Sequence, residues 1–320
     1  MANIILSIIM AILSIFGIVA GSGSSGSTGG TTGGVTDSDN QIYDSPTSYD
    51  IQTNLSYGSS GDQTLDLIIP KGVGKRLNLY VYIHGGAWGS GDKIAGADVI
   101  QKYAKEENMI GASLNYRLIV MGKYNITCNT ILTDINSAMN KIYNECAAKG
   151  YTINNAIVAG DSAGGHLALL YSYKYKSTCP INIRMVYSNC GPTDLTDINY
   201  YYNNAILPPK MLELQGTLIG QGFNAQEYFS ATIQQELLRV SPVAYVNSGS
   251  PATIFNSCGQ DELVPVSNGE KLDQVLSSAG VDHYYANFPN SGHCSRNAAD
   301  AAITAQFDAK FEQMFDRYIR

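Results

Sequence analysis

Ser162 stands among small residues in a pattern that is typical of a catalytic nucleophile. Residues 160–164 read Gly-Asp-Ser-Ala-Gly and fit Gly-x-Ser-x-Gly. The apolar run 156–159 precedes them and the helix-like run 166–170 follows. A serine on so tight a strand-to-helix turn needs glycines two positions away on each side, because a Cβ there would collide with packed backbone. The pattern therefore predicts a nucleophile elbow, with Ser162 exposed at a helix N-terminus that favours developing negative charge.

A second glycine-rich segment offers backbone amides for the charge that acyl transfer creates. Residues 84–88 read His-Gly-Gly-Ala-Trp and follow the strand-like run 77–83. Hydrolases with a nucleophile elbow place their oxyanion-hole loop after the third strand, with its N–H groups already aimed at the reacting carbonyl oxygen. We expect the donors from this loop to be the amides of Gly86 and Ala87, with Gly85 next. The amide of Ala163, directly after the nucleophile, would complete the hole.

Together these motifs resemble the α/β-hydrolase superfamily, and most closely its hormone-sensitive-lipase-like and acetyl esterase branch, which includes acetyl and feruloyl esterases. The resemblance runs from about residue 65 to the C-terminus. It is carried by residues 84–88, 115–118 (Asn-Tyr-Arg-Leu), 160–166, 241–242 (Ser-Pro), 261–265 (Asp-Glu-Leu-Val-Pro) and 292–293 (Gly-His). Two positions depart from the family pattern: Ala87 replaces the third glycine of the oxyanion motif, and Cys258 stands where the family often has histidine.

The general base is expected after the nucleophile, since the triad of this fold runs Ser, then Asp or Glu, then His along the chain. Two histidines follow Ser162 at a useful distance. His293 lies in a Pro-Asn-Ser-Gly-His loop after a strand-like run, where it can reach the carboxyl edge of a sheet. His283 begins that same run and is expected to face solvent. We therefore favour His293, and we expect His84 and His166 to anchor or pack.

The acid is expected at the end of the strand before that loop. Residues 252–256 read as a buried strand, and Asp261 follows it after a turn. Asp261 would hold the tautomer of His293 and stabilise the imidazolium. Glu262 is the neighbouring alternative. Asp194 and Asp197 are rivals because they follow the preceding strand, while Asp161 is expected to point away from the base and cap the next helix.

Composition favours a single soluble catalytic domain. The chain has 320 residues with 44% hydrophobic content, enough for one large α/β core. Its formal net charge of −7, with scattered cations, argues against nucleic acid or an anionic membrane as partner. The expected partner is a small-molecule or polysaccharide-linked ester substrate. The resemblance implies a reaction that uses no cofactor and no metal, and the cysteine spacing has no metal-site pattern.

The first residues predict export. Residues 4–19 are almost wholly apolar, and Ala-Gly-Ser follows. We interpret residues 1–20 as a signal peptide, with an N-terminal membrane anchor as the alternative. Residues 21–46, rich in Gly, Ser and Thr, predict a flexible linker. The expected location is therefore secreted or extracellular, with no membrane contact after leader cleavage, and residues 47–320 form the hydrolase domain.

Past the linker, strands and helices alternate, which predicts a mostly parallel sheet of about eight strands flanked by helices. The predicted strands are residues 49–57, 64–69, 77–83, 110–114, 155–159, 181–188, 252–256 and 282–288. The first two are expected to form an antiparallel hairpin across residues 58–62. The predicted helices are residues 95–107, 131–149, 163–175, 267–278 and 298–318.

Residues 191–246 interrupt this alternation and predict a small cap insertion, with a helix over residues 226–240. Its Tyr200 and Tyr201, together with Trp88, the only tryptophan, are candidates for the substrate pocket. Aromatic rings with one polar tip suit sugars and phenolic acids. Ordinary packing is the alternative for all three residues.

Six cysteines fit an oxidising compartment. Cys190, Cys258 and Cys294 all follow predicted strands near the proposed site, and a bridge between two of them would make the acid and base loops rigid. The motifs at Asn54 and Asn125 match Asn-x-Ser/Thr and would accept glycans in a eukaryotic source.

The predicted function is two-step ester hydrolysis by Ser162, His293 and Asp261, on short-chain or sugar-linked acyl groups. An amidase, formamidase or peptidase using the same triad is the first alternative. A lipase would need a more apolar lid than this tyrosine-rich cap. A non-catalytic binding module on the same fold typically loses the serine or the histidine, and both are present here.

Overall fold

The central sheet has eight strands in the order β1-β2-β4-β3-β5-β6-β7-β8, seen in a computed structural model that describes residues 48–202 and 208–320. Strands β1 and β2, and β2 and β4, pair antiparallel, and all other neighbours pair parallel. The strands are β1 (Ser48–Ser56), β2 (Thr64–Lys71), β3 (Arg76–Ile83), β4 (Ile110–Leu114), β5 (Thr152–Asp161), β6 (Ile183–Asn189), β7 (Ala252–Cys258) and β8 (His283–Phe288). The predicted fold class, an α/β-hydrolase fold, is confirmed.

Helices cover both faces of the sheet. They are α1 (Ala97–Glu106), α2 (Cys128–Ala148), α3 (Ala163–Lys174), α4 (Asn199–Tyr202), α5 (Pro208–Ile219), α6 (Ala225–Tyr228), α7 (Ala231–Arg239), α8 (Val266–Ser278) and α9 (Ala301–Tyr318). Alternate residues of a strand point to opposite faces. Leu79 and Val81 of β3 therefore join the core beneath α2, α3 and α8, while Tyr80 joins the core beneath α1 and α9.

The strand pattern places the proposed chemistry on one edge of the sheet. Residues 84–88 follow β3, Ser162 follows β5, Asp261 follows β7 and His293 follows β8. Strands β3, β5, β6, β7 and β8 run parallel, so all four segments emerge at their carboxyl ends, where open α/β sheets bind ligands.

The expected single helix over residues 226–240 is wrong. The chain forms α6 and α7 instead, because two side chains begin helices there. The Asn224 side chain accepts from the amides of Gln226 and Glu227. The Ser230 hydroxyl accepts from the amide of Ile233 and starts α7. Helix α5 in the same segment is not predicted from the sequence, although proline is common at the first position of a helix.

Several predictions from the sequence lie outside the described residues. The signal peptide (residues 1–20), the linker (residues 21–46) and the first residue of the domain, 47, are among them, as is the side chain of Tyr201. Across residues 48–202 and 208–320, no helix is both long and apolar enough to cross a membrane.

Candidate active site

Ser162 occupies a strained turn between β5 and α3. Its backbone has φ of +54° and ψ of −122°, a conformation that side-chain-bearing residues rarely adopt. Its amide donates to the carbonyl of Asn189 at 2.8 Å, and its carbonyl accepts from the amide of His166 at 3.0 Å. A Cβ added at Gly160 would lie 2.4 Å from the backbone carbon of Gly164. The glycines therefore stand where the predicted elbow requires them.

The structure brings Ser162, His293 and Asp261 into one hydrogen-bonded chain. Nδ1 of His293 lies 2.7 Å from Oδ2 of Asp261, and Nε2 lies 2.8 Å from Oγ of Ser162. A carboxylate only accepts, so Nδ1 carries the proton and Nε2 is free to accept from the serine hydroxyl. The side chains of His293 and Asp261 are 6% and 1% exposed, which shields their contact from water.

The Asp261 carboxylate is held by its own turn. Its Oδ1 accepts from the amides of Leu263 at 2.8 Å and Val264 at 2.9 Å, which leaves Oδ2 for the imidazole. The rival acids are engaged elsewhere. Glu262 is exposed. Asp194 accepts from Thr196, and Asp197 accepts from Ser267 and Asn268.

The loop that carries His293 is tied to the start of α9 by a contact that the sequence does not predict. The buried carboxylate of Asp300 accepts from the Ser291 hydroxyl at 2.6 Å and from the Asn290 side chain at 2.8 Å. The carbonyl of Ser291 accepts from the amide of Gln260, next to Asp261, at 2.9 Å. Base loop, acid loop and last helix thus form one hydrogen-bonded unit.

The predicted oxyanion loop lies directly against the elbow. A Cβ at Gly85 would stand 2.8 Å from the Asp161 carbonyl and 3.4 Å from Cβ of Ser162. The backbone φ is +104° at Gly86, +49° at Ala87 and +58° at Trp88. Within the described residues, the amides of Gly86, Ala87 and Ala163 donate to no backbone or side-chain acceptor. Such amides beside a nucleophile can bind a developing oxyanion.

Three other histidines lie outside the hydrogen-bonded chain that contains Ser162. His283 contacts Asp273 and Ser277 of α8, so it is partly covered and does not simply face solvent. His84 anchors its own loop, as expected: Nδ1 lies 2.7 Å from the Gly85 carbonyl, and its ring stacks on Tyr116 at 4.3 Å. His166 is fully buried, and burial lowers its pKa to about 4.

Asp161 points away from the base, as expected, but it does not cap α3. Its carboxylate accepts from the Tyr82 hydroxyl at 2.6 Å and from the Asn189 side chain at 3.0 Å. Helix α3 has no side-chain cap. Burial, followed by the charge of Asp161, raises the pKa of Tyr82 far above its ordinary value, so the phenol remains a donor. The expected capping role of Asp161 is therefore wrong, because this bond to β3 takes its place.

The two describable pocket candidates are buried by packing contacts. Trp88 is 4% exposed, and its indole N–H donates to Nδ1 of His166 at 3.1 Å. Tyr200 is 3% exposed, and its hydroxyl donates to the Asn268 side chain at 3.0 Å. Both contacts agree with the packing alternative stated for these residues.

All six cysteines are free thiols, so no bridge joins Cys190, Cys258 and Cys294 in this structure. The sulfurs of Cys190 and Cys258 nevertheless lie 2.8 Å apart behind the acid loop. Burial raises the pKa of the Cys190 thiol well above its ordinary value. Asn54 and Asn125 are both exposed.

Comparison with protein families gives one match that covers most of the chain. The family model described as BD-FAE matches residues 65–276. This span contains the elbow, the oxyanion loop and Asp261, and it ends before His293.

Curated relatives match a smaller part. An isoprenylcysteine alpha-carbonyl methylesterase of Arabidopsis thaliana is 30% identical over 121 residues, which is 38% of this chain. A putative alpha/beta hydrolase of Acanthamoeba polyphaga mimivirus is 28% identical over 128 residues, 37% of this chain and 36% of that protein. The match to the plant enzyme spans only 27% of its length.

Solved structures share the whole fold. A truncated carbohydrate esterase from gut microbiota superposes with a TM-score of 0.63 at 19% identity, covering 83% of this chain and 99% of that one. A bacterial heroin esterase gives a TM-score of 0.65 at 18% identity, covering 85% of this chain and 84% of that one. At such identities the similarity establishes the fold.

Proposed function

The chain belongs to the BD-FAE family and has an α/β-hydrolase fold, and from this premise we propose that it is a serine hydrolase of carboxylic esters. One observation carries the proposal: Nε2 of His293 lies 2.8 Å from Oγ of Ser162 while Nδ1 lies 2.7 Å from Asp261. A nucleophile, a base and a group that orients the base are the minimum for acyl transfer.

The first step forms an acyl-enzyme. Oγ of Ser162 attacks the ester carbonyl while Nε2 of His293 takes the hydroxyl proton. Asp261 keeps the imidazole in the Nδ1–H tautomer and stabilises the imidazolium that results. The imidazolium then gives its proton to the alkoxy oxygen as the carbon–oxygen bond of the ester breaks, and the alcohol leaves.

The second step releases the acid. Water replaces the alcohol, and Nε2 of His293 takes one of its protons as the hydroxyl attacks the acyl carbon. The bond to Oγ breaks, and the proton returns to Ser162. In both steps the tetrahedral oxygen becomes negative, and the amides of Gly86, Ala87 and Ala163 stabilise it. Gly85 lets the loop approach the elbow closely enough for this.

The substrate class we propose is a short-chain or sugar-linked acyl ester, as for an acetyl or feruloyl esterase. Support for this class comes from the names of similar proteins. One similar structure is a carbohydrate esterase, and one curated relative is a methylesterase. A trial panel should hold p-nitrophenyl acetate and octanoate, methyl ferulate, acetylated xylan and the matching acetanilide.

We further propose that residues 1–20 are a cleaved signal peptide and that residues 21–46 tether the hydrolase domain, residues 47–320, outside the cell. The apolar run over residues 4–19 supports export. N-terminal sequencing of the protein from the culture medium and from the membrane fraction tests this point. A mature chain in the medium that begins close to residue 21 supports the proposal, and a membrane-bound chain that begins at Met1 supports the anchor.

The function is tested by Ser162→Ala, with Ser137→Ala as the matched control. The Ser137 hydroxyl donates to the Thr133 carbonyl within α2, away from the site. Ser162→Ala should lose at least about 10³-fold in kcat on the best ester while Ser137→Ala keeps the parent rate. Parent-level turnover by Ser162→Ala would overturn the proposal. Faster cleavage of the acetanilide than of the acetate would favour the amidase alternative.

A further inference from the structure

The oxyanion loop holds an unusual backbone shape. The Gly86 carbonyl closes the turn locally by accepting from the amides of Gly89 at 3.1 Å and Ser90 at 3.0 Å and from the Ser90 hydroxyl at 2.9 Å. Gly86, Ala87 and Trp88 all have positive φ, and two of them carry side chains. Left-handed backbone is unfavourable for residues with a Cβ and persists where surrounding contacts impose it. The amides of Gly86 and Ala87 owe their direction to this shape, so whatever imposes it also positions the amides.

The contacts that join this turn to more distant parts of the protein converge on Trp88. Its indole is 4% exposed, and its N–H donates to Nδ1 of His166 at 3.1 Å. The two rings meet edge to face at 5.2 Å and 89°. The Trp88 carbonyl accepts from the amide of Ile119 at 3.0 Å. The end of the loop is therefore held by one buried side-chain bond and one backbone bond.

The hydrogen bond between Trp88 and His166 determines the protonation state and tautomer of His166. An indole N–H can only donate, so Nδ1 of His166 must be an unprotonated acceptor. Nε2 then carries the proton and donates to the Val240 carbonyl at 2.8 Å. Complete burial agrees with a neutral ring, because it lowers the pKa of His166 to about 4. Both ring nitrogens are thus satisfied in a single tautomer.

His166 also belongs to the nucleophile turn. It lies four residues after Ser162, and its amide donates to the Ser162 carbonyl at 3.0 Å. Its other partner, Val240, follows α7 at the end of the cap segment. One residue therefore touches the nucleophile turn, the oxyanion loop and the cap segment.

We propose that Trp88 and His166 are positioning residues, whose hydrogen bond keeps the Gly86 and Ala87 amides in place relative to Ser162. The inference rests on the proposed function and adds to it two residues that touch no substrate. Since the oxyanion forms only during reaction, misplaced amides should lower kcat and leave KM nearly unchanged.

Trp88→Phe tests the bond most cleanly, because it keeps an aromatic ring and removes the donor. We expect kcat per active site to fall about 10- to 100-fold, with KM within about threefold of the parent value. Active sites are counted by titration with a fluorophosphonate, so a smaller folded fraction does not imitate the effect. Tyr173→Phe is the matched control. Tyr173 lies on α3, as His166 does, and the change removes its buried 2.9 Å hydrogen bond to Thr253 of β7. Its kcat should equal that of the parent.

A double-mutant cycle with His166→Leu identifies the pair. If both residues act through one bond, Trp88→Phe/His166→Leu has nearly the kcat of the worse single variant, because the bond is lost only once. His166→Gln keeps an acceptor and a donor and should recover part of the loss; it replaces Trp88→Phe as the decisive variant if that protein does not fold.

Failure of the inference is distinct from failure of the proposed function. If the parent is active, the positioning role is overturned by a Trp88→Phe variant whose kcat lies within about twofold of the parent value. It is also overturned if the losses in kcat of the two single variants multiply in the double variant. If Trp88→Phe does not fold and His166→Gln replaces it, equal kcat values for His166→Gln and His166→Leu overturn the positioning role as well. A parent protein that cleaves no ester overturns the proposed function.

Discussion

The hydroxyl of Ser291 donates to the carboxylate of Asp300 at 2.6 Å and so joins the base loop to the first residues of the last helix. The same carboxylate binds the side chain and amide of Asn290. Asp300 is buried without a direct ion pair among the described residues, so these donors, together with the nearby charge of Arg296, compensate its charge. His293 lies two residues after Ser291, and its position therefore depends on Asp300.

Asp300→Ala should destabilise the protein and reduce its activity. The variant leaves the buried Ser291 hydroxyl without its acceptor, which costs about 1–3 kcal/mol in the free energy of unfolding, whereas the exposed Asn290 side chain can turn to water. The base loop would also lose its attachment, so kcat should fall about tenfold or more in the fraction that remains folded. Urea denaturation and active-site-normalised kinetics measure the two effects. The control is Asp308→Ala, a change at an exposed position of α9. Equal unfolding free energies and equal kcat values for the two variants would contradict the role of Asp300 in holding the base loop.

The assignment of Asp261 over its neighbour is tested by a pair of charge-neutralising changes. Asp261→Asn presents an amide to Nδ1 of His293 and favours the wrong tautomer, so kcat should fall about 10³- to 10⁴-fold. Glu262→Gln, at the exposed next residue, should leave kcat unchanged. Steady-state kinetics on one ester decide between them. A larger loss in Glu262→Gln would transfer the role to Glu262.

The close packing between the turn that follows β5 and the loop that follows β3 predicts a strong effect at Gly164. A Cβ there would lie 2.0 Å from the carbonyl oxygen of Ile83, and backbone cannot yield as a flexible side chain does. Gly164→Ala should therefore cost about 3 kcal/mol or more in unfolding free energy. Gly61→Ala has nothing within 4 Å of its added Cβ and serves as the control. Equal melting temperatures for the two variants would mean that the turns are not in contact.

The buried neutral His166 makes stability depend on pH. Its folded pKa of about 4 lies below the ordinary value of 6.5, so between these values the unfolded chain binds the extra proton. This contribution to stability is complete above pH 6.5 and is lost as the pH falls toward 4. It amounts to about 3 kcal/mol. Buried His84, whose pKa is also lowered, acts in the same direction.

Urea denaturation at pH 7.5 and pH 4.5 measures this dependence. The parent should lose more stability between the two values than His166→Leu, because the variant lacks the contribution of His166 and keeps those of the other groups with a lowered pKa, among them His84. An identical loss in both proteins would show that His166 is already charged when folded.

Local patterns predict what lies close in sequence. Ser162 and the oxyanion loop carry their chemistry in five-residue motifs, and the strands of the sheet follow from short apolar runs between turns. Chain order and the positions of strand ends predict His293 and Asp261. The structure brings both to Ser162, although 131 residues separate His293 from the nucleophile.

Contacts between distant side chains are not visible in spacing. Trp88 and His166 are 78 residues apart, and no pattern joins an indole to an imidazole. Asp300 lies in a polar stretch that resembles any helix start. Within the cap, Ser230 begins a second helix inside the expected one, since a side-chain cap overrides an apolar spacing that continues past it.

Peptide mapping after reaction with a fluorophosphonate tests the central claim most directly. The folded parent should carry a single phosphonyl adduct on Ser162, found in the tryptic peptide of residues 150–174, and His293→Ala should label far more slowly. An adduct on another residue, or a folded parent that stays unlabelled, would contradict the assignment of Ser162 as a nucleophile activated by His293.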